Sequence, residues 1–140
     1  MDSIRARAAR GHLRLAEGLI KTAVLDKGAS EYEIRNALSR AYYGLFHACR
    51  GYLWAREEVN VEGLGRKHPS LHSEMARHMG GPFRQFLTRS WKLRCSSDYE
   101  PEWRALPEHR CLREVKEARA QYFFVIREAE KLMSQARGSA

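Results

Sequence analysis

The chain is poor in cysteine, in proline and in long apolar runs. Cys49, Cys95 and Cys111 are odd in number and widely spaced, so no pair stands at the short separations of a thiolate zinc site or a redox motif. Thiols used this way point to a reducing compartment, and the expected location is cytoplasmic. No run of 18 apolar residues occurs, which excludes a membrane-spanning helix as an expectation. The arginine-rich N-terminus runs into Glu17 and an amphipathic pattern, not into the apolar core of a secretory leader. No stretch alternates with period two, so strands are not expected. Four prolines, no low-complexity tract and 44% hydrophobic residues describe a folded chain, not a disordered one.

Acidic residues are scarce as well. Seventeen Asp and Glu stand against 25 Lys and Arg, a formal net charge of +8. A basic excess of this size favours an anionic partner, either nucleic acid or an acidic protein surface. The plainer explanation is a set of arginines covering solvated helix faces. With 140 residues the chain makes a single domain, 1–140, large enough to bury a core without staples.

What is present is helical periodicity. From Ser3 to about Leu25 a stripe of Ile4, Ala8, Leu15, Leu19 and Ala23, widened by Ala16, Ile20 and Val24, predicts a first helix. Gly28 suits a left-handed stop, and Ser30 with Glu33 forms a capping-box pattern that starts the next helix. That central helix is expected over Glu31 to about Arg56, followed by a connection to Pro69. A short helix is expected from Ser70 to Met79. Gly80-Gly81-Pro82 breaks it, and Pro82 fits the first turn of a fourth helix that ends near Asp98-Tyr99. Phe83, Phe86, Leu87, Ser90 and Leu93 mark its apolar side. After Pro101 and Pro107 a last helix carries Val115, Ala118, Tyr122, Val125, Ile126, Ala129 and Met133 at helical spacing. The expected fold class is all-α, an up-and-down bundle of about five helices.

The central helix separates into two faces. Ile34, Leu38, Ala41, Tyr42, Leu45, Cys49, Tyr52 and Leu53 form a core stripe. Opposite them Asn36, Arg40, Tyr43 and His47 follow at steps of four, three and four, one row able to carry chemistry. Gly44 and Gly51 lie between the faces. Each costs about 1 kcal/mol of helix propensity relative to Ala, and a close helix neighbour would explain them.

Three blocks, Ser39-Arg40-Ala41-Tyr42-Tyr43-Gly44-Leu45-Phe46-His47-Ala48, Lys67-His68-Pro69-Ser70-Leu71-His72, and Leu93-Arg94 with Asp98-Tyr99, together resemble the HEPN superfamily. The likeness is to its small prokaryotic branch with an Arg-Ala-Tyr-Tyr-x-x-Phe-His signature. The resemblance implies a helical bundle that forms a homodimer and acts on or binds RNA or a nucleotide. It also implies metal-independent endoribonuclease activity in many relatives, non-catalytic binding modules in others, and pairing with a nucleotidyltransferase as a toxin-antitoxin system. No metal and no cofactor belong to that picture.

The family's catalytic motif is an arginine followed after four to six residues by histidine. Arg40 and His47 meet that spacing and are the catalytic candidates. On the later helix, where relatives usually carry the motif, Arg94 is followed by Tyr99 in place of histidine. Arg94, Asp98 and Tyr99, with Asn36 and Tyr43, are the candidate substrate-binding residues. In a nuclease a neutral imidazole would take the 2′-hydroxyl proton, a partner imidazolium would return one, and arginine would hold the phosphate. The alternatives are a histidine hydrogen-bonded to a neighbouring helix, at Asp98 or Tyr99, and an Arg40 ion pair with Asp98. Three functional readings therefore stand: a nuclease, a non-catalytic nucleotide-binding or protein-interaction module, and a structural bundle whose charge only aids solubility. Pro69 interrupts the spacing of His68 and His72, and no pair among His68, His72 and His78 has a clear carboxylate partner at helical register, which argues against a metal site. Lys67 with His68 reads better as a phosphate or solvent contact.

Overall fold

The computed structural model describes residues 2–62, 64, 67–99 and 107–138, with the side chains of 97–99 and 136–138 left aside. Five helices account for the fold: α1 (Ser3–Thr22), α2 (Glu31–Ala55), α3 (His68–Met79), α4 (Gly81–Tyr99) and α5 (Glu108–Gly138). No strand occurs among the described residues, and the chain is an all-α bundle.

Local chemistry sets the boundaries. Asp2 caps α1 by accepting from the Arg5 amide. Both halves of the Ser30–Glu33 capping box form at the start of α2, satisfying amides that have no partner inside a helix. Gly28 and Gly80 take positive φ, 79° and 95°, in the left-handed region where a side chain would be strained. Gly80 alone separates α3 from α4, and Pro82 follows at a position where its missing N–H costs nothing. The third helix starts earlier than the sequence predicts, at His68, because Pro69 fits its first turn. Pro101 lies outside the described residues.

The core runs along α2. Its expected stripe is buried from Leu38 to Leu53, with Ile34 packed at the edge. Leu71 and Met75 of α3, Phe83, Phe86 and Leu87 of α4, and Val115, Tyr122, Val125 and Ala129 of α5 close around it. Cys49 and Cys111 are buried thiols, and burial pushes both above the usual thiol range.

α1 corrects the sequence reading. Its buried residues are Ala9, Ala16 and Ile20, whereas Ile4 is 74% and Leu15 54% exposed. The reason is close approach to α2. A Cβ on Gly51 would stand 2.6 Å from Leu13 Cδ2, and one on Gly44 2.7 Å from Ile20 Cγ1. The glycines of α2 take in Leu13 and Ile20 of α1, while Ala9 and Ala16 are buried beside them, and this face leaves Ile4 and Leu15 outside the contact. Arg5 reaches Trp54, His12 reaches His47, and Ile20 meets Gly44. That descending order fixes α1 antiparallel to α2.

Candidate functional site

α2 places Tyr43, Phe46, His47 and Arg50 within two turns, at spacings that put them on one side of the helix. Phe46 is buried and lies at the centre. The His68 ring stacks on it at 4.6 Å, the His47 ring meets it edge-on at 5.5 Å, and Tyr43 lies at 6.2 Å. The Arg50 guanidinium sits 6.0 Å over the same ring. On α4, Trp91 stacks on His68 at 5.6 Å, and Arg94 lies 4.9 Å over Tyr43 and 6.0 Å over Tyr42. Tyr43, His47, Arg50, His68 and Trp91 are half-buried, so each keeps part of its ring or charge at the surface. Aromatic faces interleaved with guanidinium groups suit flat, anionic ligands.

A second layer lies beneath. The Tyr42 hydroxyl is 2.7 Å from His68 Nδ1 and 2.9 Å from His72 Nε2. One hydroxyl has one proton, so it donates to one imidazole and accepts from the other. Thr88 of α4 stands 3.4 Å from His72 Nδ1. Burial holds His72 down to about 4, helped by His68 and Arg84, and burial with Arg94 lowers His68. These imidazoles are neutral at pH 7, and burial raises the Tyr42 phenol.

His47 meets a neighbouring helix, as one reading of the sequence expected. The partner it finds on a neighbouring helix is His12 of α1, with the two Nδ1 atoms 3.1 Å apart and the rings 5.4 Å centre to centre. Burial, then Arg50, then His47 bring His12 to about 4. Burial and Arg50 lower His47 also. His12 carried no signal as a lone histidine. It does sit in the row Ala9, His12, Ala16, Ile20 and Ala23, at steps of three, four, four and three, the one polar member of that row.

Other candidates fall as follows. Arg40 is half-buried, seven residues from His47, or roughly 10 Å along the helix axis at 1.5 Å per residue. Helical side chains lean toward the N-terminus, so Arg40 leans away from His47 while Arg50 leans over it. The structure thus sets Arg50, which the sequence reading passed over, as the cation beside the imidazole pair. Asn36 is half-buried one turn before Arg40. Tyr43 and Arg94 are brought together. The side chains of Asp98 and Tyr99 lie outside the described residues, and with them the contacts expected to Arg40 and His47. His68 and His72 converge on a hydroxyl, while His78 stands 3.3 Å from Glu74. Among the described residues no three His, Cys, Asp or Glu side chains come together as a metal would need.

A groove of about 660 Å³ lies elsewhere, along α4, lined by Gly81, Arg84, Gln85, Thr88, Arg89 and Lys92. It is basic but contains none of the rings around Phe46.

The fold and site define an all-helical bundle with a surface of half-buried rings and guanidinium groups. Compared with family models, with curated proteins and with solved structures, the chain matches none.

Proposed function

We propose that the chain is a HEPN-type protein that binds RNA on the surface over Phe46 and cleaves it without a metal ion. One observation carries this reading: the three blocks that resemble the superfamily, far apart in sequence, supply Tyr43, Phe46 and His47, then His68, then Arg94 to one place. Phe46 and Arg94 are buried there, but Tyr43, His47 and His68 keep part of their rings exposed around them, which packing alone does not require.

The chemistry is consistent with single-stranded RNA. Stacking on an aromatic face is worth about 1–3 kcal/mol per base, and the 2′-hydroxyl is the nucleophile that needs no metal-bound water. His47, neutral at pH 7, is the base for that hydroxyl. Arg50 is placed to hold the phosphate under attack, and its planar fork keeps its charge as negative charge builds on phosphorus. Arg40, two turns away, fits a neighbouring phosphate. A homodimer and a nucleotidyltransferase partner belong to the same proposal through the resemblance.

A second reading, a non-catalytic nucleotide-binding or interaction module, is favoured by Arg94. It is 6% exposed and packed on Tyr43 and Tyr42, a structural posture for the arginine of the later helix.

The deciding experiment incubates the protein with mixed-sequence RNA and transfer RNA in excess chelator, beside His47→Ala and Arg50→Ala. Cleavage that leaves 2′,3′-cyclic phosphate ends and disappears in both variants is expected. RNA bound at low salt but never cut would move the assignment to the second reading. Absence of RNA affinity at low salt would end the RNA reading and favour the structural bundle.

A further inference from the structure

The groove along α4, about 660 Å³ in volume, is separate from the rings over Phe46 and is lined by that one helix. Spacing explains its shape. Gly81, Arg84, Thr88 and Lys92 follow at steps of three, four and four, so their side chains share one row. Two members of the row are small, and a Cβ added at Gly81 would meet nothing within 4 Å. Open space is left between the long side chains.

The charges along the groove are not equivalent. Arg89 is paired with Glu114 at 3.0 Å, so its charge is largely compensated within the fold. Arg84 and Lys92 are exposed, and neither makes an ion pair among the described residues. The first turn of α4 holds no acidic residue, and the positive end of the helix adds to the same field.

The distribution of these cations indicates the kind of anion. A pocket for a single phosphate converges its donors on one point. Arg84 and Lys92 instead stand roughly 12 Å apart along the axis, at 1.5 Å per residue, which suits a chain of phosphates. A stacked strand presents one phosphate about every 3.4 Å, so about three or four nucleotides would span the groove.

The groove also borders the ring surface. Trp91 lies on the next row of α4, one turn beyond Thr88, and stacks on His68, which stacks on Phe46. Thr88 itself stands 3.4 Å from Nδ1 of His72. After burial and His68, it is the Arg84 charge that lowers His72, so this cation is felt beneath the rings. A strand stacked over Phe46 and leaving past Trp91 enters the groove.

We propose that the α4 groove is a second RNA subsite, in which Arg84 and Lys92 hold successive phosphates of the nucleotides flanking those stacked over Phe46. The inference rests on the RNA reading above and extends it beyond the reacting phosphate. Gln85 and Thr88 supply hydrogen bonds to the same backbone. Contacts of this kind position a strand without reading its bases.

The test measures binding of a 2′-O-methyl RNA strand to the full chain by fluorescence anisotropy over a range of salt. That strand keeps its phosphates and cannot be cut through its 2′-oxygen. One variant combines Arg84→Gln with Lys92→Gln. A control combines Arg7→Gln with Arg127→Gln, exposed positions on α1 and α5 that lie in neither surface, and removes the same net charge. All four changes are at the surface and leave the fold intact.

The groove variant should bind about 10-fold or more weakly at about 50 mM salt, and its plot of log affinity against log salt should be shallower by about 1.4, or about 0.7 for each phosphate contact on a single strand. The control should stay within about 2-fold of the native protein, because charges away from the strand are screened. Equal loss in the two variants would overturn the subsite, since net charge alone then explains it. Native affinity and native slope in the groove variant would overturn it as well, and both results leave the RNA reading intact. A native protein that binds no strand at low salt overturns both.

Discussion

The Tyr42 hydroxyl sits 2.7 Å from Nδ1 of His68, and that bond ties the surface of the site to its foundation. His68 stacks on Phe46 and Trp91, while Tyr42 belongs to the core of α2 and also bonds His72. Tyr42→Phe keeps the ring and removes the hydroxyl, leaving buried imidazole nitrogens unsatisfied. The loss should be about 1–3 kcal/mol in urea unfolding, the cost of stranding a buried polar group. A midpoint within a few tenths of native would show that the hydroxyl is dispensable.

Acid should unfold the protein early. His72 and His12 titrate at about 4 in the native state, against about 6.5 in an unfolded chain. Between those values the unfolded chain binds more protons, so stability rises with pH. The contribution is complete above pH 6.5 and is lost as pH falls toward 4. His47 and His68 are lowered also and act in the same direction. A urea midpoint that drops steadily from pH 7 to pH 5 is expected, and a flat profile over that range would contradict the neutral buried imidazoles.

Glycine substitutions should separate by sign. Gly51→Ala drives a methyl to 2.6 Å from Leu13 and 3.2 Å from the Ala9 carbonyl, and Gly44→Ala to 3.3 Å from the Ile20 amide. Backbone atoms cannot yield as a side-chain tip can, and each should cost about 1–3 kcal/mol. Gly18→Ala meets nothing within 4 Å and should stabilise by up to about 1 kcal/mol through helix propensity. Thermal unfolding of the three variants gives the comparison directly.

Arg5 closes the far end of the central helix. It donates from Nε to the Trp54 carbonyl and from Nη2 to those of Leu53, Arg56 and Val59, at 2.6–3.2 Å. The last turn of α2 has no basic residue of its own, so a cation from α1 meets the carbonyls at and just beyond its C-terminus. Arg5→Met should cost about 1.5–3 kcal/mol, as for hydrogen bonds from a charged group, and speed amide exchange at residues 56–59. Arg7→Met, on the exposed side, should change stability by less than about 0.5 kcal/mol.

Much of this was legible beforehand. The core face of α2, the Ser30–Glu33 box and the break at Gly80 depend on spacing and on residues within a few positions, and such signals survive in a single chain. The tight seam at Gly44 and Gly51 was legible as a need for a neighbour, though not as α1. Tyr43, His47 and Arg94 stood out by residue type. The stripe of α1 was read in part: Ala16, Ile20 and Ala23 are buried, but Ile4, Leu15 and Val24 are exposed, because the glycines of α2 draw Leu13 and Ile20 into the seam and nothing in α1 alone encodes that choice. Tyr42 was read as packing, which its ring is; the role of its hydroxyl depended on His68 and His72, 26 and 30 residues away.

The sequence by itself determined an all-helical chain, the start of α2 and the break at Gly80, and which side of α2 is core, because those follow from 3.6-residue periodicity and capping within a turn. Only the tertiary structure decided that His47 meets His12, that Arg50 and not Arg40 stands beside them, and that Arg5 caps α2. Hydrogen bonds across 35 or 49 residues are set by how two helices align, and nothing local to either partner encodes that alignment.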